Sequence, residues 1–335
     1  MPARTAQQIG LCTAVLVLSL ALAACDGGDS PLAPDGADSV APLSSAPGAE
    51  NSTVAAAAAP EFLTAGSGQR ILFSSSRSGF WDLYRMAPDG TGLVRVTSFT
   101  GLESTPAWSW DNKRIVFSRM RPDAANVMHR DVYLMNADGT GKRWVVSQPQ
   151  SFDIEEASWS PNNTDLVVVA YLSGIPRLVR MNVGTGAMSF INPGYAGMLP
   201  SFDPTGKKIV YVSGNRANIE VVNVDGTGHK VLLAGAAWEF HSPRFSPDGK
   251  RLAFARQVNG NQDVYVRTLA DGSTKRLTFH ASMDYAPTWS ADGTRIAFNS
   301  FRAGPSQIYT VSSAGGIQTR ITHTTTQEAE PAWSH

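Results

Sequence analysis

Between Arg70 and His335 the apolar residues fall in short runs broken by polar turns, and the runs return in one order. An apolar strand is followed by an aromatic strand flanked by Asp or Asn, an Asp-Gly turn, a polar loop and a Pro-x-aromatic-Ser step. The anchoring aromatics are Trp108, Trp159, Phe202, Phe245, Trp289 and Trp333, at intervals of 51, 43, 43, 44 and 44 residues. Five of the six have Pro two positions earlier: Pro106, Pro200, Pro243, Pro287 and Pro331. A period in the forties made of short strands predicts propeller blades.

The repeat that ends in the last anchor shows the grammar. Ala286-Pro287-Thr288-Trp289-Ser290 and Arg295-Ile296-Ala297-Phe298 are strands a and b, joined by a turn at Asp292-Gly293 whose Gly supplies a positive φ. Gln307–Val311 is strand c, Ala314-Gly315-Gly316 a second turn, and Gln318–Thr322 strand d. The first strand pattern, Arg70-Ile71-Leu72-Phe73, matches strand b, whereas Pro331-Ala332-Trp333-Ser334-His335 matches strand a. Joined, the two segments complete one blade, which removes an open sheet edge at the seam. The expected fold is all-β: a six-bladed β-propeller of four-stranded antiparallel blades over residues 69–335, with the closing blade shared between the two ends.

These elements resemble the TolB-type "Pro-Asp" repeat, a WD-repeat-like propeller unit. The matching pieces are Ser246-Pro247-Asp248-Gly249-Lys250 with Leu252-Ala253-Phe254, the Asp-x-Tyr steps at Asp82-Leu83-Tyr84, Asp131-Val132-Tyr133 and Asp263-Val264-Tyr265, and the strand ends Arg276-Leu277-Thr278 and Arg320-Ile321-Thr322. The third and fourth units depart from it. Phe202-Asp203 replaces Trp-Ser, and Arg177-Leu178-Val179 and Glu220-Val221 replace Asp-x-Tyr. The resemblance implies six blades and an envelope role of the TolB kind. TolB carries an α/β domain ahead of its propeller, where this sequence has a different kind of segment.

That segment begins with an apolar run, Ile9 to Leu22, behind Arg4, which reads as the core of a secretory signal at residues 1–24. Leu22-Ala23-Ala24-Cys25 resembles the lipobox of bacterial lipoproteins, so Cys25 is the expected lipidation site and new N-terminus. An ordinary signal peptide cut after Ala24 is the alternative. The other cysteine, Cys12, lies inside the apolar run, leaving no internal disulfide to an exported domain. Residues 25–68 are rich in Ala, Pro, Ser and Gly and read as a flexible tether with a reach on the order of 35 Å. The tether takes six acids, which leaves 27 Lys plus Arg against 22 Asp plus Glu in the repeat region. That excess is small and spread along the repeats, so nucleic acid is not an expected partner. The expected localisation is the bacterial cell envelope, lipid-anchored and facing the periplasm.

The a-to-b and c-to-d turns share one face and are tight, as at Asp89-Gly90, Asp138-Gly139, Asp225-Gly226 and Asp271-Gly272. The b-to-c and d-to-a connections share the other, where binding residues are expected. Three to five residues before the anchors stand Glu103, Glu155, Glu156, His241, Asp284, Glu328 and Glu330. Two roles fit them: a cation or cationic-peptide site at the channel mouth, or bonds to backbone amides at the start of strand a. Trp81, Trp238 and Phe240 are aromatic candidates for partner contact on the same face, beside blade packing. Arg77 and Arg121 are expected to pair with Asp82 and Asp131.

No Gly-x-Ser-x-Gly, His-Glu-x-x-His or Gly-rich phosphate loop occurs, and no catalytic residue, metal or cofactor is assigned. His241, His280 and His323 fall on successive d-to-a connections, and related propellers, the oligogalacturonate lyases, use a His-bound metal there. Here the three differ in distance from their anchors and would not share a depth in the channel. The leading expectation is a monomeric, non-catalytic module that binds an envelope protein or peptide and touches the membrane through the lipid on Cys25. The competing class is a carbohydrate-active enzyme, a polysaccharide lyase or hydrolase, using the acid and His ring at the mouth.

Overall fold

The computed structural model describes residues 68–122, 126–145, 153–191 and 196–335. The expected signal segment, Cys25 and the tether up to residue 67 lie outside the described residues. Among the described residues twenty-four strands form six separate four-stranded antiparallel sheets, the blades of a closed ring. Blade 1 is the shared one. Its strand a, Glu328–Trp333, pairs with strand b, Ile71–Ser75, with Ile71 opposite Trp333 and Leu72 opposite Ala332. Ser334 extends the seam: its amide donates to the Arg70 carbonyl at 2.8 Å, and its hydroxyl accepts from the Arg70 amide at 2.8 Å. Blades 2 to 6 follow in chain order, with inner strands Leu102–Trp108, Ile154–Trp159, Gly197–Phe202, Phe240–Phe245 and Asp284–Trp289.

The core is divided among the blade interfaces. Among the described residues six buried apolar clusters occur, and each joins two neighbouring blades. Alternation along strand b explains this: Ile115 and Phe117 pack toward blade 1, while Val116 between them packs toward blade 3. Because both sheet faces are covered, the central strands read as continuous apolar runs instead of alternating ones. Blades 3 and 4, whose repeats depart from the consensus, form complete sheets all the same. In blade 4 Asp203 takes the turn role, its Oδ1 accepting from the Lys207 and Lys208 amides at 2.8 Å. In the consensus blades the Ser hydroxyl does this work: Ser290 Oγ accepts from the Arg295 amide at 2.9 Å and donates to Asp292 at 2.6 Å.

Strand a is longer than the sequence pattern predicts. It starts five residues before its anchor, or six in blade 2, so the acids assigned to d-to-a loops lie within strand. A β-bulge interrupts each copy, at Ser104/Ala107, Glu155/Ser158, Met198/Ser201, His241/Arg244 and Tyr285/Thr288, and opposite Leu72/Ser74 in blade 1. The residue three before every anchor has positive φ: Thr105, Glu156, Leu199, Ser242, Ala286 and Glu330, between 48° and 58°. None is Gly, and each carries a strain of about 1 kcal/mol. The bulge re-aims the inner strand so that pairing to strand b continues on both sides of it.

Candidate functional site

The six inner strands enclose a channel of about 610 Å³, lined from every blade. The ring of acids read from the sequence divides by register. Glu103, Asp284 and Glu328, five before their anchors, are fully buried and do not line the channel. Each is spent inside the fold. Asp284 takes both oxygens to the Arg302 guanidinium at 2.8 and 2.9 Å, Glu328 pairs with Arg77 at 2.9 Å, and Glu103 accepts from the Thr97 hydroxyl. Burial pushes the Glu103 carboxyl up to about 8 despite that bond. The expected partner of Arg77 is thereby changed: Asp82 instead meets Arg95 at 2.7 Å, while Arg121 pairs with Asp131 at 3.0 Å as expected.

Glu155, Glu156, His241 and Glu330, three and four before their anchors, do line the channel. Glu156 Oε2 accepts from the Leu199 amide at 2.6 Å, and Glu330 Oε2 from the Thr105 amide at 2.5 Å. Each carboxylate thus holds the bulge of the next blade. Glu155 reaches Arg130 at 3.4 Å. Burial, with Glu155 beside it, pushes the Glu156 carboxyl up to about 7, and burial does the same to Glu330. Glu155 is likewise raised by burial, with Arg130 opposing. His241 Nδ1 lies 2.8 Å from an Arg216 nitrogen, and burial together with that cation pulls the ring down to about 3, so it is neutral near pH 7.

Of the aromatic candidates, Trp81 and Trp238 line the channel and Phe240 does not. Phe240 is 1 % exposed and packs edge-on against Phe254, because its place five before the anchor points it into the interface of blades 4 and 5. Trp238 is 37 % exposed, with the Arg216 guanidinium 5.4 Å from its ring centre. His280 and His323 stay exposed and line nothing with His241. Among the described residues no three His, Cys, Asp or Glu stand close enough to hold a metal.

The sequence reading missed Arg244 and the bulge itself. Arg244 projects into the channel one residue before its anchor and donates to the Pro243 carbonyl at 3.0 Å. Burial lowers its pKa, with Glu156 and Glu330 opposing. The signal for the bulge was present in the Pro two before five anchors, which interrupts the ladder at that step.

Fold and channel together define a six-bladed propeller whose inner strands present a belt of buried charge. The chain belongs to the family of the TolB beta propeller domain, whose model matches residues 95–239 and 197–335. It is 28% identical over 210 residues to a protein TolB homolog of Chlorobium luteolum, covering 62% of this chain and 36% of that one. It is 26% identical over 225 residues to the Tol-Pal system protein TolB of Francisella tularensis, covering 51% of this chain and 52% of that one. The chain therefore spans between a third and about half of the relatives it matches. The structure of TolB from Acinetobacter baumannii superposes with a TM-score of 0.68 at 19% identity, over 79% of this chain and 66% of that chain, a likeness of fold.

Proposed function

We propose that this chain is a cell-envelope propeller that binds a protein or peptide at its channel and performs no catalysis. The observation that carries the reading is the channel itself, to which all six blades contribute and which Glu155, Glu156 and Glu330 line together with Trp81 and Trp238. Carboxylates held in a desolvated wall attract a cationic side chain, and exposed Trp238 with Arg216 against its ring offers the contacts on which protein recognition depends. Family membership supports an envelope role, and the Tol-Pal naming of one relative supports an envelope protein as partner. In this reading the chain is exported by its N-terminal apolar run, anchored through a lipid on Cys25 and carried on the segment up to residue 68 as a monomer facing the periplasm.

The binding face is tested by affinity capture from membranes with the wild type and a Trp238→Ala, Glu155→Gln double variant. Specific capture lost in the variant is the expected result; equal capture by both would place the partner elsewhere. Palmitate labelling tests the anchor. Cys25→Ala should abolish it, and unchanged labelling would remove the lipid from the account.

A further inference from the structure

Each inner strand turns the amide of the residue three before its anchor away from its own sheet. The ladder requires it. In blade 5 the Gln257 amide bonds the Glu239 carbonyl, which makes His241 and Ala255 a bonded pair and directs the Phe240 and Ser242 amides outward. Phe240 gives its amide to the Arg216 carbonyl at 3.0 Å, and by the same phase the amide of channel-lining Ser242 points outward. The same phase holds in blade 6, where the Phe301 amide bonds the Met283 carbonyl and the Ala286 amide faces in.

Four of these six amides have a built-in acceptor. Those of Leu199 and Thr105 take the carboxylates of Glu156 and Glu330, while those of Glu156 and Glu330 take Ser118 Oγ at 3.1 Å and Asn299 Oδ1 at 2.8 Å. The acceptor always comes from the preceding blade, either from its bulge residue or from strand b. For Ser242 those positions are Leu199 and Val212, and for Ala286 they are Ser242 and Ala255. Among the described residues no side-chain acceptor bonds either amide. Beside them Arg244 carries a guanidinium that meets carbonyl oxygens and no carboxylate within ion-pair distance among the described residues.

We infer that the open Ser242 and Ala286 amides, in the channel wall that Arg244 also lines, are carboxylate-binding positions on blades 5 and 6. A partner's carboxylate would occupy there the place that Glu156 and Glu330 occupy on blades 4 and 2. An open amide in a partly desolvated wall, with a guanidinium two residues on in the same inner strand at Ser242, suits a carboxylate, since hydrogen bonds to a charged acceptor are the strong ones. This deepens the proposed function and rests on it only in taking the channel as the binding site. The occupant is then a peptide carrying both charges, its cation toward Glu155 and its carboxylate toward blade 5.

The test uses amide resonances of the isotope-labelled full chain titrated with N-acetylglycine, which mimics a chain terminus, and with N-acetyl-aspartic acid α-amide, which mimics an acidic side chain. N-acetylglycinamide is the uncharged control. Saturable shifts of Ser242 and Ala286 with a carboxylate probe and none with the control are expected, and the tighter probe identifies the source of the carboxylate. Arg244→Gln should weaken binding tenfold or more. Leu199→Glu should block the Ser242 amide from within, as Glu156 blocks that of Leu199, with dispersed spectra reporting an intact fold. Shifts that the control reproduces, or binding unchanged in both variants, would overturn the site. If the probes fail while membrane capture still depends on Trp238 and Glu155, only the carboxylate site falls; if the probes bind and that capture is independent of Trp238 and Glu155, only the partner reading falls.

Discussion

Replacing Glu156 by Gln separates the two things this side chain does. It gives its oxygen to the Leu199 amide at 2.6 Å, and it places a carboxyl group in a desolvated wall. Gln retains an acceptor oxygen and discards the charge. Burial raises the folded-state value from 4.5 to about 7, so the native state holds its proton more tightly than the unfolded chain does. The penalty for ionisation is therefore absent below about pH 4.5, grows as pH rises through the folded value, and is full above it. A rise of about 2.5 units corresponds to about 3 kcal/mol at most, and part of it belongs to Glu155 next door, which leaves ~1–3 kcal/mol for the substitution. Urea unfolding of wild type and Glu156→Gln at pH 4, 6 and 8 reads this directly. The variant should match wild type at pH 4 and exceed it by ~1–3 kcal/mol at pH 8. A variant less stable than wild type at pH 8 would show that the ionised carboxylate is a net stabilising latch, and the reasoning from desolvation would fail.

Other outcomes follow from the same geometry. Asp284→Asn should cost about 3–5 kcal/mol in denaturant unfolding, because Arg302 loses its buried bidentate partner; a loss under 1 kcal/mol would show the pair to be screened. Gly226→Ala should destabilise by more than 1 kcal/mol, since the residue has a φ of 85° and a Cβ there collides with the Ile191 carbonyl oxygen. Removal of residues 328–335 takes the inner strand from blade 1 and should abolish cooperative unfolding, checked by circular dichroism during heating. A cationic peptide that binds the channel should bind more tightly at pH 8 than at pH 5.5 by titration calorimetry, because Glu156 and Glu330 lose their protons across that window.

Much of the fold is legible in the sequence because a propeller repeats a local unit. The spacing of Trp108 to Trp333, the Asp-Gly turns and the split of strand b from strand a across the two ends fix six blades and their closure. The candidate site was less legible. Six acids and a histidine stand three to five residues before the anchors, yet the bulge three before each anchor decides which of them face an interface and which the channel. That is why Glu328 is enclosed with Arg77 while Glu330, at the bulge, holds the next blade; Phe240 is core at the start of its strand, while Trp238, in the loop before it, is exposed.

The sequence by itself determined the count of blades, the strand order within them and the face that carries the variable loops, because each follows from contacts close along the chain. Only the tertiary structure decided which acids share a channel, which bulge amides are filled by a neighbour and which two are left open, because these depend on what the preceding blade offers across a closed ring. Residues some forty positions apart in sequence become adjacent there, and desolvation by all six blades sets the charge they carry.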